Sequence, residues 1–182
     1  MTLRRPLRAA LAALVLLAGC SDAGHTPLSP GGEPSRIVAG GIDAGALLQF
    51  ATVPDLTGPR HASKRIVAAE GGFVELNGFR VEIPAGALPA DTVVTIDLPT
   101  DPTRAQRVMA EFGPHGIRFH KPVTLRFPLG GVPLTGAAVE VARWENGSWT
   151  SLGGTVNAAR SVLTGTTPHF SAYGGKYVMA GG

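Results

Sequence analysis

Five histidines, two tryptophans and one cysteine hold most of the chemistry available to this chain of 182 residues. His115 and His120 flank one turn, and His169 lies far along the chain. Gathered with an acid such as Glu111, they would make a metal site. Zinc usually takes four ligands at recognisable spacings, and neither a His-x-Glu-x-x-His pattern nor a spare cysteine is present. Neither a metal nor a cofactor is therefore expected. Trp144 and Trp149 could form a flat platform for a sugar ring, or pack on each other and seal the edge of a sheet. A Gly-x-Ser-x-Gly elbow, a phosphate-binding glycine loop and paired carboxylates in a plausible cleft are missing. Action on external substrates is not expected.

The single cysteine is Cys20, and its surroundings explain it. Arg4, Arg5 and Arg8 precede the apolar run AALAALVLL, which is too short to span a hydrocarbon core about 30 Å thick. It suits the apolar core of a signal peptide. Leu17-Ala18-Gly19-Cys20 follows and resembles the bacterial lipobox, where small residues fit a peptidase pocket and the cysteine thiol takes the lipid. Residues 1–19 are thus expected to be removed, leaving a lipid-bearing Cys20 that holds the chain on a membrane. Ser21, rather than Asp, follows the cysteine, which favours the outer membrane of a bacterial envelope where the cell has one. With Cys20 lipidated there is no disulfide, so the fold rests on apolar burial.

The net charge of +3 suggests nucleic acid at first sight. The excess lies in Arg4, Arg5 and Arg8, because thirteen basic residues after Cys20 meet thirteen acidic ones. A neutral domain with scattered charges offers a polyanion no footprint. Partners are instead expected among envelope proteins or cell-wall components.

The 25 glycines and 15 prolines leave little room for long helices and favour short strands joined by turns. Residues 20–65 are rich in Pro and Gly and read as a tether, with Ala46 to Val53 as its one apolar piece, a candidate extra strand. From Ile66 the pattern alternates. Gly72 to Leu76 and Phe79 to Ile83 flank Asn77-Gly78, the strongest short hairpin signal. The register follows: Leu76 opposite Phe79, Glu75 opposite Arg80, Val74 opposite Val81. A second hairpin turns at Asn146-Gly147 and sets Trp144 opposite Trp149. In that register Val139 and Val141 fall on the face opposite Trp144, so either a bulge intervenes or the tryptophans face outward. Eight or so strands without a convincing amphipathic helix predict an all-β antiparallel β-sandwich over residues 66–175, with 176–182 as a tail.

Five pieces then occur in one order: Gly71-Gly72; Ile83-Pro84-Ala85-Gly86-Ala87-Leu88; Gly113-Pro114-x-Gly116-x-x-Phe119-x-Lys121-Pro122-Val123-x-Leu125; Trp144…Trp149-x-x-Leu152; His169-Phe170-Ser171-x-Tyr173. Together they resemble the ZU-five domain, the β-sandwich module of zonula occludens proteins, Unc-five netrin receptors and ankyrins. The resemblance implies a sandwich with a binding role. It also implies a second possibility, since some ZU-five relatives cut their own chain at His-Phe-Ser. There, the Ser171 hydroxyl would attack the Phe170 carbonyl while His169 takes its proton, and water would then release residues 171–182. Three readings follow: a membrane-anchored, non-catalytic interaction or structural module; a self-processing domain cut between Phe170 and Ser171; and a carbohydrate-binding module using Trp144 and Trp149.

Overall fold

The structure, a computed structural model, describes residues 46–134 and 136–178. The amino-terminal signal and Cys20 lie outside the described residues. Within them the elements run β1 (His61–Ile66), β2 (Gly72–Leu76), β3 (Phe79–Ile83), β4 (Thr92–Asp97), α1 (Pro102–Ala105), β5 (Met109–Gly113), β6 (Arg118–Pro128), β7 (Val139–Glu145), β8 (Ser148–Gly153), β9 (Thr155–Val156), β10 (Val162–His169) and β11 (Ala172–Tyr177). A six-stranded sheet has the order β1-β4-β5-β11-β7-β8, and a five-stranded sheet the order β2-β3-β6-β10-β9. The named strand pairs are antiparallel, so the chain forms the expected β-sandwich. No helix among the described residues is long and apolar enough to cross a membrane.

Alternation puts one face of the β2–β3 hairpin into the core. Val74, Leu76, Phe79, Val81 and Ile83 are buried, while Phe73, between them, is exposed. The first hairpin has the expected register, Leu76↔Phe79 through Val74↔Val81. Its turn holds Asn77 and Gly78 at φ of 50° and 84°, the positive values that Asn-Gly tolerates. On the outer face Arg80 bonds Glu75 and Glu82 at 3.0 and 2.8 Å and lies 3.7 Å from the centre of the Phe73 ring. The exposed aromatic is thus covered by a cation rather than by core.

Four rings cross the core edge to face. Phe79 meets Phe127 at 5.9 Å between centroids, Phe127 meets Phe112 at 6.2 Å, and Phe112 meets Tyr173 at 6.0 Å. Phe79 and Phe127 come from the five-stranded sheet, Phe112 and Tyr173 from the other, so the series ties the two layers together.

The domain begins before residue 66, which corrects the tether assigned to residues 20–65. Leu47 and Leu48 are buried. The Leu48 amide donates to Gly175 O at 2.7 Å, and Leu48 O accepts from Val108 N at 2.9 Å. The apolar piece therefore docks on the sandwich through the isolated bridges Leu47↔Lys176 and Gln49↔Arg107. β1 pairs with β4 along its whole length, from His61↔Asp97 to Ile66↔Thr92. Residues 20–45 of the expected tether lie outside the described residues. At the other end Lys176 and Tyr177 still pair with Glu140 and Val139, so the expected tail over 176–182 starts inside β11.

Candidate functional site

The His169-Phe170-Ser171 triplet lies where the chain leaves β10 of one sheet and enters β11 of the other. Pro168 has no amide hydrogen to give the ladder, and the pairing with β6 shifts register between Thr167 and His169. This irregularity frees the chain to cross between the layers. Phe170, only 2% exposed, holds the crossing down by packing edge-on against Phe119 at 4.7 Å.

Around this anchor the polar groups are closely bonded. The His169 Nε2 lies 2.8 Å from Nη1 of Arg143, and its Nδ1 lies 3.1 Å from Phe170 O. A guanidinium only donates, so Nε2 accepts and the ring hydrogen sits on Nδ1, where it donates to the Phe170 carbonyl. Arg143 also pairs with Glu145. The His169 carbonyl accepts the Tyr173 hydroxyl at 2.6 Å and Thr167 Oγ1 at 3.0 Å. Burial pushes the Tyr173 phenol up to about 12, against the opposing pull of its hydrogen bond with Thr167. Ser171 donates its hydroxyl to Trp144 O at 3.2 Å, and its own carbonyl accepts the Phe112 amide at 3.0 Å.

In the self-cleavage reading His169 is the base for Ser171. Both of its ring nitrogens are committed elsewhere, to Arg143 and to the Phe170 carbonyl, and neither is bonded to the Ser171 hydroxyl. In this arrangement His169 donates to the Phe170 carbonyl, and the serine hydroxyl is bonded to Trp144 O. The triplet and Tyr173 were visible in the sequence; Arg143 and Thr167, which also fix the geometry, were not singled out. The Tyr at the fifth place of His-Phe-Ser-x-Tyr was the available signal.

The tryptophans sit opposite each other as expected, Trp144↔Trp149. Their centroids are 5.3 Å apart and their planes 61° apart. They pack edge to face and do not share one plane, which corrects the flat platform. A bulge lies near them, Val141 facing Gly153 while Ala142 faces Ser151, but its extra residue is Leu152 of β8; β7 stays in step, so Trp144 lies on the face opposite the buried Val141.

The three histidines weighed as metal ligands have separate partners. His115 Nε2 contacts Glu111 Oε1 at 3.1 Å, and the hydrogen bond to this buried carboxylate raises the His115 pKa, against the opposing effect of burial. His169 is held by Arg143 instead, and the His120 amide donates to Ala87 O. His61, not singled out from sequence, bonds Asp97 at 2.7 Å. Among the described residues no group of three or more His, Cys, Asp or Glu is placed to hold a metal ion. No family model matches the chain, and no curated protein is similar to it.

Proposed function

We propose that this chain is a lipid-anchored protein of the bacterial cell envelope, on the outer membrane where there is one, and that its ZU-five-like sandwich binds other envelope proteins or cell-wall components without catalysis. The observation that carries the binding role is the edge formed by β8. Sheet edges present unpaired backbone donors and acceptors, and proteins usually blunt them with charge or shortness. β1 carries Lys64 and Arg65, β2 carries Glu75, and β9 has two residues. β8, with the sequence SWTSLG, has neither charge nor proline, and Trp149 supplies an aromatic anchor. An extended segment of a partner would add to Ser148–Ser151, ahead of the bulge.

A photo-crosslinking side chain at exposed Thr150 tests this in cells, with exposed Arg160 as the control position. The expected result is a discrete adduct in the membrane fraction from position 150 and none from position 160. Cys20→Ala should lose labelled palmitate and the adduct together. Equal palmitate in wild type and Cys20→Ala would overturn the anchor, and equal adducts from both positions would overturn the edge.

The self-processing reading has one contact in its favour, the His169 Nδ1 donor on the Phe170 carbonyl. That bond would polarise the group under attack. The Ser171 hydroxyl, however, is turned to Trp144 O. Mass measured under denaturing conditions should therefore show one species retaining residues 171–182. A loss of those residues that Ser171→Ala abolishes would establish cleavage instead.

A further inference from the structure

The end of the sandwich away from the triplet holds a cavity of about 460 Å³. It forms where residues 50–60 pass over the β2–β3 turn, the end of β4, α1 and the start of β5. Phe50, Phe79, Leu98 and Met109 give it apolar walls, and two arginines, Arg60 and Arg107, line it as well. This is the size and make-up of a small-molecule site, apolar with a few convergent polar groups.

Arg60 brings spare donor capacity to the lining. Arg60 is partly buried, and its Nε and Nη2 both donate to one acceptor, Pro99 O, at 3.1 and 2.6 Å. A guanidinium has five N–H donors, so one carbonyl leaves most of its capacity unspent. No carboxylate among the described residues pairs with Arg60, whereas Arg65, Arg80, Arg126 and Arg143 each have one. Burial lowers the Arg60 pKa, as expected for a cation that gives up water without gaining a counter-ion. The acid in the lining, Asp55, accepts from Thr57 N and Oγ1 at 2.8 Å on its Oδ1 and makes no ion pair with Arg60. Arg107 also lines the cavity and is held by Nη1 on Leu47 O.

We propose that this cleft binds a small monocarboxylate with a compact apolar body, its carboxylate on the Arg60 guanidinium and its body against Phe50 and Phe79. A carboxylate matches the planar guanidinium edge and supplies the missing counter-charge. A phosphate would want a run of backbone donors, and the one nearby helix is a single turn whose Arg104 amide is already capped by Asp101 at 3.0 Å.

Titration calorimetry of the full-length chain with 2-naphthoate tests the proposal, with 2-naphthamide as the neutral match. Wild type should bind naphthoate saturably and the amide about tenfold more weakly or worse, because the charge-assisted pair is lost. Arg60→Gln should lower naphthoate affinity to that of the amide. Gly130→Phe should abolish binding by filling the cleft. Gly130 lines the cavity, has no positive φ, and a Cβ there meets nothing within 4 Å, so the variant should keep its thermal midpoint. Absence of saturable naphthoate binding by wild type would overturn the proposal. So would wild-type affinity in folded Arg60→Gln or Gly130→Phe. Should Arg60→Gln fail to fold, the amide comparison and Gly130→Phe still decide the matter.

Discussion

Phe127→Ala is expected to cost about 3–5 kcal/mol, which is most of the stability of a domain at the low end of the usual range. Phe127 is fully buried and stands in the middle of the ring series, touching Phe79 on one side and Phe112 on the other. Truncation removes its own buried surface and one partner from each of two edge-to-face contacts. Those partners belong to different sheets, so collapse around the void would require the layers to move together. Val139→Ala, near the rim at 7% exposure, should cost clearly less. Urea unfolding of the two variants checks the ranking. Equal midpoints would show that the ring series does not join the layers.

Gly71→Val should be the most damaging change at any turn described above. Gly71 has φ of 71°, and a Cβ there would sit 2.3 Å from Ile83 O and 2.7 Å from Ala85 N. The conformational penalty alone is about 1–3 kcal/mol, and the backbone clash adds to it. Gly147→Val isolates the first term, since Gly147 has φ of 79° but a Cβ there meets nothing within 4 Å. The expected order by thermal unfolding is wild type, Gly147→Val, then Gly71→Val with a much larger drop. Similar drops for both would mean that the β-strand ends around Ile83 and Ala85 yield easily.

The hairpins at Asn77-Gly78 and Asn146-Gly147 were legible because two local signals agree there: strict alternation and a dipeptide that tolerates positive φ. β1 was not legible. Its sequence HASKRI has a single large apolar residue, Ile66, because it is a sheet edge with most of its residues in water. Leu47 and Leu48 looked like part of a tether because their burial comes from Val108 and Gly175, far away in the chain. β9, with two residues, is too short to carry any period. At the triplet the sequence shows the three residues but not which way their hydrogen bonds point. Arg143, from another strand, decides that by leaving Nδ1 as the donor. The Arg60 cleft has no local signature at all, since its walls come from a loop, a turn and three strand ends.

The position of β11 has a consequence for how the molecule is made. β11 lies between β5 and β7 and is the strand that bonds to both. Without it the six-stranded sheet falls into a β1-β4-β5 part and a β7-β8 part. A chain delivered amino terminus first therefore cannot close that sheet until residues 172–177 have emerged, and its two half-sheets wait with open inner edges. On the export proposed above, this late closure would keep the chain threadable through most of its passage. It also concentrates the risk of wrong pairing in the interval before the last strand arrives.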